Sequence, residues 1–193
     1  MSLSDSLDKL DAAQAAAGLP VSRKRYSAEA LEPLDEVFSK EVSAEILSHG
    51  YPAGLVVPWA AEDFELYDVE EIPLRQAGYR TEAKTGTVSP DWPKELYVLA
   101  EVSANPFAID FRGAIRFARH GMGGWRFEQV APDLSTFLDV IAEWLSFFVV
   151  ENDLNIMNDN FEIRPEKRDE IRDRVFAGLS DNEKASFMKA LGI

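Results

Sequence analysis

The chain has no cysteine and only two histidines. Disulfide staples and thiolate metal sites are therefore excluded. Neither His49 nor His120 has a ligand companion at usable spacing, so no metal and no cofactor is expected. No Asn-x-Ser/Thr acceptor occurs, and the opening MSLSDSLDKLD carries acids where a secretory leader needs a basic region. The expectation is a cytoplasmic protein. Long apolar runs are absent too. The richest, Phe137 to Val150, is interrupted by Asp139 and Glu143 at helical spacing, which marks a core helix rather than a membrane span.

Positive charge is also in short supply: 20 Lys and Arg stand against 34 Asp and Glu, a net charge of -14. Such a field repels phosphate backbones and anionic lipid surfaces and attracts basic proteins. Neither nucleic acid nor membrane is expected as a partner; a basic protein is. Solubility alone is a competing explanation of an acidic composition.

Catalytic signatures are missing as well. There is no G-x-S-x-G elbow, and His120 with Asp110 and a stray serine does not form a triad. Gly121-Met122-Gly123-Gly124 has no Walker lysine and runs into the extended Trp125-Arg126-Phe127, so no helix N-terminus is available for a phosphate. The run from Asn152 to Asn160 suggests calcium only superficially. Counted from Asp153, Asn158 stands where the loop needs glycine, and Arg164 where it needs a bidentate glutamate. It reads as a polar connector with asparagine turn chemistry. No enzyme is expected.

What is present is a core. With 193 residues and 46% hydrophobic content, the chain can bury roughly 70% of its unfolded surface. One domain in three zones is expected. Residues 1–26 hold a helix capped by Ser4, with Leu3, Leu7 and Leu10 on one stripe, stopped by Gly18-Leu19-Pro20 and followed by a basic hinge at Arg23-Lys24-Arg25. Residues 27–150 form the centre. It begins with a helix from Ser27 to about His49 that turns Leu31, Leu34, Phe38, Val42 and Ile46 inward. Short strands follow, then a helix from Asp133 that buries Leu134, Phe137, Leu138, Ile141, Leu145 and Phe148. Residues 151–193 hold the connector, a helix from Pro165 to Ala177, and a helix opened by the Ser180–Glu183 capping box.

The hairpin in NPFAIDFRGAIRFARH has a derivable register. Placing Phe107, Ile109, Phe111, Ile115 and Phe117 on one buried face sets Phe111 opposite Ile115 and Ile109 opposite Phe117. Arg112-Gly113-Ala114 is then a three-residue loop and Asp110 pairs with Arg116.

Glu62 to Glu71 is the sharpest candidate for function. Six acids, Glu62, Asp63, Glu65, Asp68, Glu70 and Glu71, alternate with apolar residues and meet no base before Arg75. Paired carboxylates can carry acid–base chemistry only in a pocket that tunes them apart. A docking surface fits better, with the acids steering a basic partner and Trp59, Phe64 and Tyr67 as anchors. A merely solvated acidic stretch is the competing explanation.

The order of parts from Trp92 to Phe148 also carries a resemblance. Trp92, the strand pair NPFAIDFRGAIRFARH, Trp125 after the glycine turn and LSTFLDVI opening a helix together resemble the SUKH superfamily. This is the Smi/Knr-type domain of bacterial immunity proteins and yeast cell-wall regulators. Immediately before the position of Asn105 the family often has a glycine pair; this chain has Ser103-Ala104. The resemblance implies an α+β fold, a mixed or antiparallel sheet flanked by helices, with helical extensions at both ends. It further implies a non-catalytic binding role, that of an immunity-type protein that neutralises a cognate toxin. A regulatory scaffold with a housekeeping partner is the alternative, and a hydrolase with an unrecognised site a third.

Overall fold

The computed structural model describes residues 2–60 and 62–192. Its centre is a six-stranded antiparallel sheet whose strands lie side by side in chain order: β3 (Leu55–Trp59), β4 (Glu62–Leu66), β5 (Tyr97–Val102), β6 (Asn105–Ile109), β7 (Ile115–Phe117) and β8 (Glu128–Ala131). A separate two-stranded ribbon joins β1 (Arg23–Lys24) to β2 (Tyr51–Pro52). The helices are α1 (Leu3–Ala16), α2 (Ala28–Leu31), α3 (Lys40–His49), α4 (Leu134–Leu145), α5 (Pro165–Glu170) and α6 (Asp181–Ala190). The fold is α+β with helices flanking an antiparallel sheet, as expected.

Period-two alternation explains the sheet's helix-covered face. Leu55, Val57 and Trp59 on β3, Phe64 and Leu66 on β4, Phe107 and Ile109 on β6, and Ile115 and Phe117 on β7 are all buried. Against them α4 lays Phe137, Ile141 and Leu145, and α6 lays Phe187. Asp133 caps α4, its Oδ1 accepting from the Thr136 N–H at 2.7 Å. The whole stripe named from the sequence, Leu134 through Phe148, is buried. Beyond Leu145 the helix continues in a wider turn, Ser146–Glu151.

The opposite face is partly covered by the long segment between β4 and β5. Gln76 fixes it there: its Nε2 donates to the Ile72 and Val98 carbonyls at 2.7 and 2.9 Å, and its Oε1 accepts from the Val98 N–H at 3.0 Å. One buried amide thus satisfies strand groups that the segment would otherwise orphan.

The terminal helices share the central core. Leu3, Leu7 and Leu10 are buried and α1 packs on α4. Trp59 Nε1 donates to the Ala190 carbonyl at the end of α6, at 3.3 Å. The Ser180–Glu183 capping box forms as expected.

Several local expectations are corrected. Ser2, not Ser4, caps α1: its Oγ accepts from the Asp5 N–H at 3.2 Å while Asp5 Oδ2 accepts from the Ser2 N–H at 3.1 Å. Asp5 completes a box that Ser4 could not, and Ser4 instead meets His49 Nδ1 at 3.2 Å. The helix from Ser27 to His49 is broken. α2 gives way to a single 3-10 turn at Glu32–Leu34, and Ser39 caps a fresh helix at α3. Pro33 lacks the N–H that would continue the α-helical ladder, and Ser39 offers a new start. Leu31, Leu34, Phe38 and Ile46 stay buried; Val42 is only partly so.

The hairpin register is shifted. Ile109 faces Ile115, Ala108 faces Arg116 and Phe107 faces Phe117, while Phe111 is 62% exposed. The cause is Asp110. Its Oδ1 accepts from the Arg112 and Ala114 N–H groups at 2.9 and 3.1 Å, and its own N–H donates to the Ala114 carbonyl at 3.0 Å. These bonds close a three-residue loop at Phe111-Arg112-Gly113, one position earlier than expected. Asp110 still binds Arg116, Nε and Nη2 both 3.1 Å from Oδ2, but diagonally. A two-residue shift leaves each side chain on its original face, so the buried set survives apart from Phe111. The third strand begins at Glu128 rather than Trp125.

Candidate binding surface

The acidic segment divides once it folds. Trp59, Phe64 and Tyr67 are 2%, 0% and 1% exposed, so none of them can anchor a partner. Trp59 stacks among Trp144 and Phe64, with centroids 5.0 and 5.4 Å away, because strand alternation sends it and Phe64 under α4. Tyr67 lies beneath the Arg75 guanidinium, 4.6 Å from its ring centre. Burial, then a hydrogen bond to Glu101, pushes its phenol far above the usual range.

Four of the acids are tied to internal cations. Arg75 reaches Glu65 at 2.8 Å and Glu71 at 3.6 Å. Lys24 pairs with Glu70 and Asp68, and Asp68 also accepts from the Tyr26 hydroxyl at 3.1 Å. Glu62 and Asp63 remain exposed and, among the described residues, form no ion pair. The spacing of acids in sequence could not reveal this sorting, because Lys24 arrives from 44 and 46 positions away.

Glu62 and Asp63 adjoin the connector between α4 and α5. Together they line a groove of about 450 Å³ with Pro58, Leu154 and Phe161. The connector is built around Asn158, whose Oδ1 accepts from the Asn160 and Glu162 N–H groups at 2.9 and 3.0 Å. Its carbonyl accepts from the Phe161 N–H at 3.0 Å. This is the asparagine turn chemistry expected there. At its tip Phe161 is 84% exposed with φ 60, and Leu154 is 49% exposed with φ 63. Asp153 and Ala60, with φ 48 and 50, are also left-handed. Four non-glycine residues in a disfavoured conformation thus gather at one surface, each costing about 1–2 kcal/mol that the fold must offset. Asp153, Asp159 and Glu162 are exposed carboxylates elsewhere on the same connector. Sequence reading missed Phe161. Its one signal was a lone aromatic in a run of Asn and Asp with neither helical nor strand period.

A second cluster lies on the opposite sheet face. Glu65 and Glu101 sit directly opposite each other on β4 and β5, an arrangement that like charges disfavour. Arg75 offsets it through Glu65, and the Tyr79 hydroxyl donates to Glu101. Burial, then that hydrogen bond, raises the Tyr79 phenol well above its ordinary value. Each carboxylate is engaged by a neighbour, and the network stiffens the sheet. Among the described residues no group of three or more His, Asp or Glu could hold a metal. His120 lies against Trp125, with ring centroids 5.8 Å apart, and makes no triad with Asp110. No helix of the described residues is long and apolar enough to cross a membrane.

Comparison of the chain with protein-family models, with curated proteins and with solved structures returns no match.

Proposed function

We propose that this protein is a non-catalytic binding module of SUKH type, acting in the cytoplasm, that docks a basic protein partner through Glu62, Asp63, Leu154 and Phe161. The observation that carries the reading is Phe161. An aromatic side chain held out to solvent on a hydrogen-bonded turn, at a φ its residue type disfavours, costs stability and is best accounted for by a partner that covers it. Its ordering cost is met before binding, as a hot-spot anchor requires, and the surrounding carboxylates supply steering. Nucleic acid is not the partner in this reading, since the rim is anionic.

The likeness to SUKH proteins gains support from the β5–β6 turn. Ser103 and Ala104 both take positive φ, 47 and 62, the conformation that a glycine pair would adopt without strain. Within the family reading the partner is a toxin whose working surface the module occupies. A regulatory scaffold with a housekeeping partner uses the same surface.

The test begins with co-purification from the native cell and identification of the partner by mass spectrometry. Association is then measured for the Glu62→Lys/Asp63→Lys and Phe161→Ser variants. The charge reversal should slow association and flatten its salt dependence, and Phe161→Ser should speed dissociation. If both variants bind at unchanged rates at low salt, the surface is wrong. If the partner is a toxin whose activity the complex leaves intact, the immunity reading gives way to the scaffold.

A further inference from the structure

The stretch from Phe111 to Phe127 carries Arg112, Arg116, Arg119, Arg126 and His120 and not one acid, in a chain where acids outnumber Lys and Arg by 34 to 20. Arg112 leans on Phe111 and Arg116 is engaged by Asp110. Arg119 and His120 instead line a cleft of about 590 Å³, which Arg168 of α5 also lines. Arg119 donates to the Lys189 carbonyl at 2.7 Å and Arg168 Nε to the Ile163 carbonyl at 3.0 Å, which leaves other guanidinium N–H groups of each for a ligand. Among the described residues neither arginine pairs with a carboxylate. Lys189 lines the cleft too, but Glu128 holds it at 2.7 Å. Apolar lining comes from Phe117, Met122 and Met157.

The volume falls in the range of small-molecule sites, and two arginines in a cleft of mixed polar and apolar lining are what an amphiphilic anion needs. Glu62 and Glu162 also line it. Their charge disfavours a polyanion such as a nucleic acid, yet tolerates a ligand with one charged head. We propose that this cleft binds a small organic anion, an apolar body bearing one carboxylate or sulfonate that Arg119 and Arg168 hold. The site shares Phe161 and Glu62 with the docking surface, but its ligand is held by Arg119 and Arg168, which the docking reading does not use, so either reading can fail alone.

Anilinonaphthalene sulfonate is a suitable probe, being an apolar anion whose emission rises on transfer from water. Titration into the folded protein should give saturable binding at one site, displaced by decanoate and not by decanol at equal concentration. Arg119→Gln and Arg168→Gln should each weaken it at least about fivefold, a charge-assisted hydrogen bond discounted for partial exposure. Arg116→Gln, outside the cleft, should leave it unchanged. If Arg168→Gln disturbs the fold through its bond to Ile163, Met122→Glu sets a further acid into the cleft and should weaken binding comparably. Non-saturable binding, equal displacement by decanol, or loss in Arg116→Gln with none in Arg119→Gln would each overturn the proposal.

Discussion

Phe137 is the side chain on which the packing of α4 against the sheet can be measured. It is fully buried, with Phe107 at 5.5 Å and Phe64 and Phe187 both at 6.0 Å between centroids. Those rings come from β6, β4 and α6, so the position joins three elements. Phe137→Ala removes the transfer free energy of a buried phenyl and leaves a cavity walled by rings that cannot collapse onto it. The expected loss is about 3–5 kcal/mol. In a chain of this size that corresponds to a fall in Tm of about 6–20 °C. Urea unfolding followed by circular dichroism gives the free energy directly, and an unchanged m-value would show that the denatured state is not the cause. Phe161→Ala is the matched control: same chemistry, exposed site, expected change within about 0.5 kcal/mol. A loss below about 1 kcal/mol for Phe137→Ala, or equal losses for both, would refute the packing argument.

Asp110→Ala should cost about 2–4 kcal/mol by urea unfolding, because the buried Ala114 N–H loses its side-chain acceptor and Arg116 its partner; a change under about 0.5 kcal/mol would mean that the loop does not depend on this carboxylate. Glu183 gives a pH-dependent term. Burial raises its carboxyl, but hydrogen bonds from the Ser180 side chain and backbone and from Gln129 outweigh this and hold it below the usual carboxylate value. Its contribution is therefore complete above the unfolded value near 4.5 and is lost as pH falls through the lowered folded value. Glu183→Gln should lower stability by about 1 kcal/mol at neutral pH and converge with the parent protein in acid; a difference that persists unchanged at acid pH would point to packing instead. Reversal of Glu62 and Asp63 should leave thermal stability within about 0.5 kcal/mol, since neither acid is paired among the described residues, and a larger drop would mean that the β3–β4 hairpin end needs its carboxylates.

Fold class, the α4 stripe and the capping box at Ser180 were legible because each is written in local spacing and cap chemistry. Where the reading failed, a competing local interaction had been overlooked. Pro33 and Ser39 together outweigh the inward stripe that suggested one helix. Cross-strand pairing alone misses that the short side chain of Asp110 also bonds the loop's own N–H groups, which moves the three-residue loop one position earlier. The functional surface was the least legible. Aromatics interleaved with acids look the same whether the strand turns them outward or inward. Only the pairing of β4 with β3 and β5, a long-range fact, settles that Phe64 faces α4.

The net charge of -14 does not act as one field, because the fold distributes it unevenly. Within Glu62 to Glu71, Lys24 and Arg75 draw four acids into short-range pairs, whose fields largely cancel beyond a Debye length of about 8 Å at physiological salt. Among the described residues, Glu62 and Asp63 are the two acids of this segment left without an ion pair. That unpaired charge lies in the groove that also holds Phe161, which is 84% exposed. Acids paired with a cation, such as Glu65 with Arg75, brace the sheet instead. The same residue type therefore serves two purposes, and the presence or absence of a cation partner decides which.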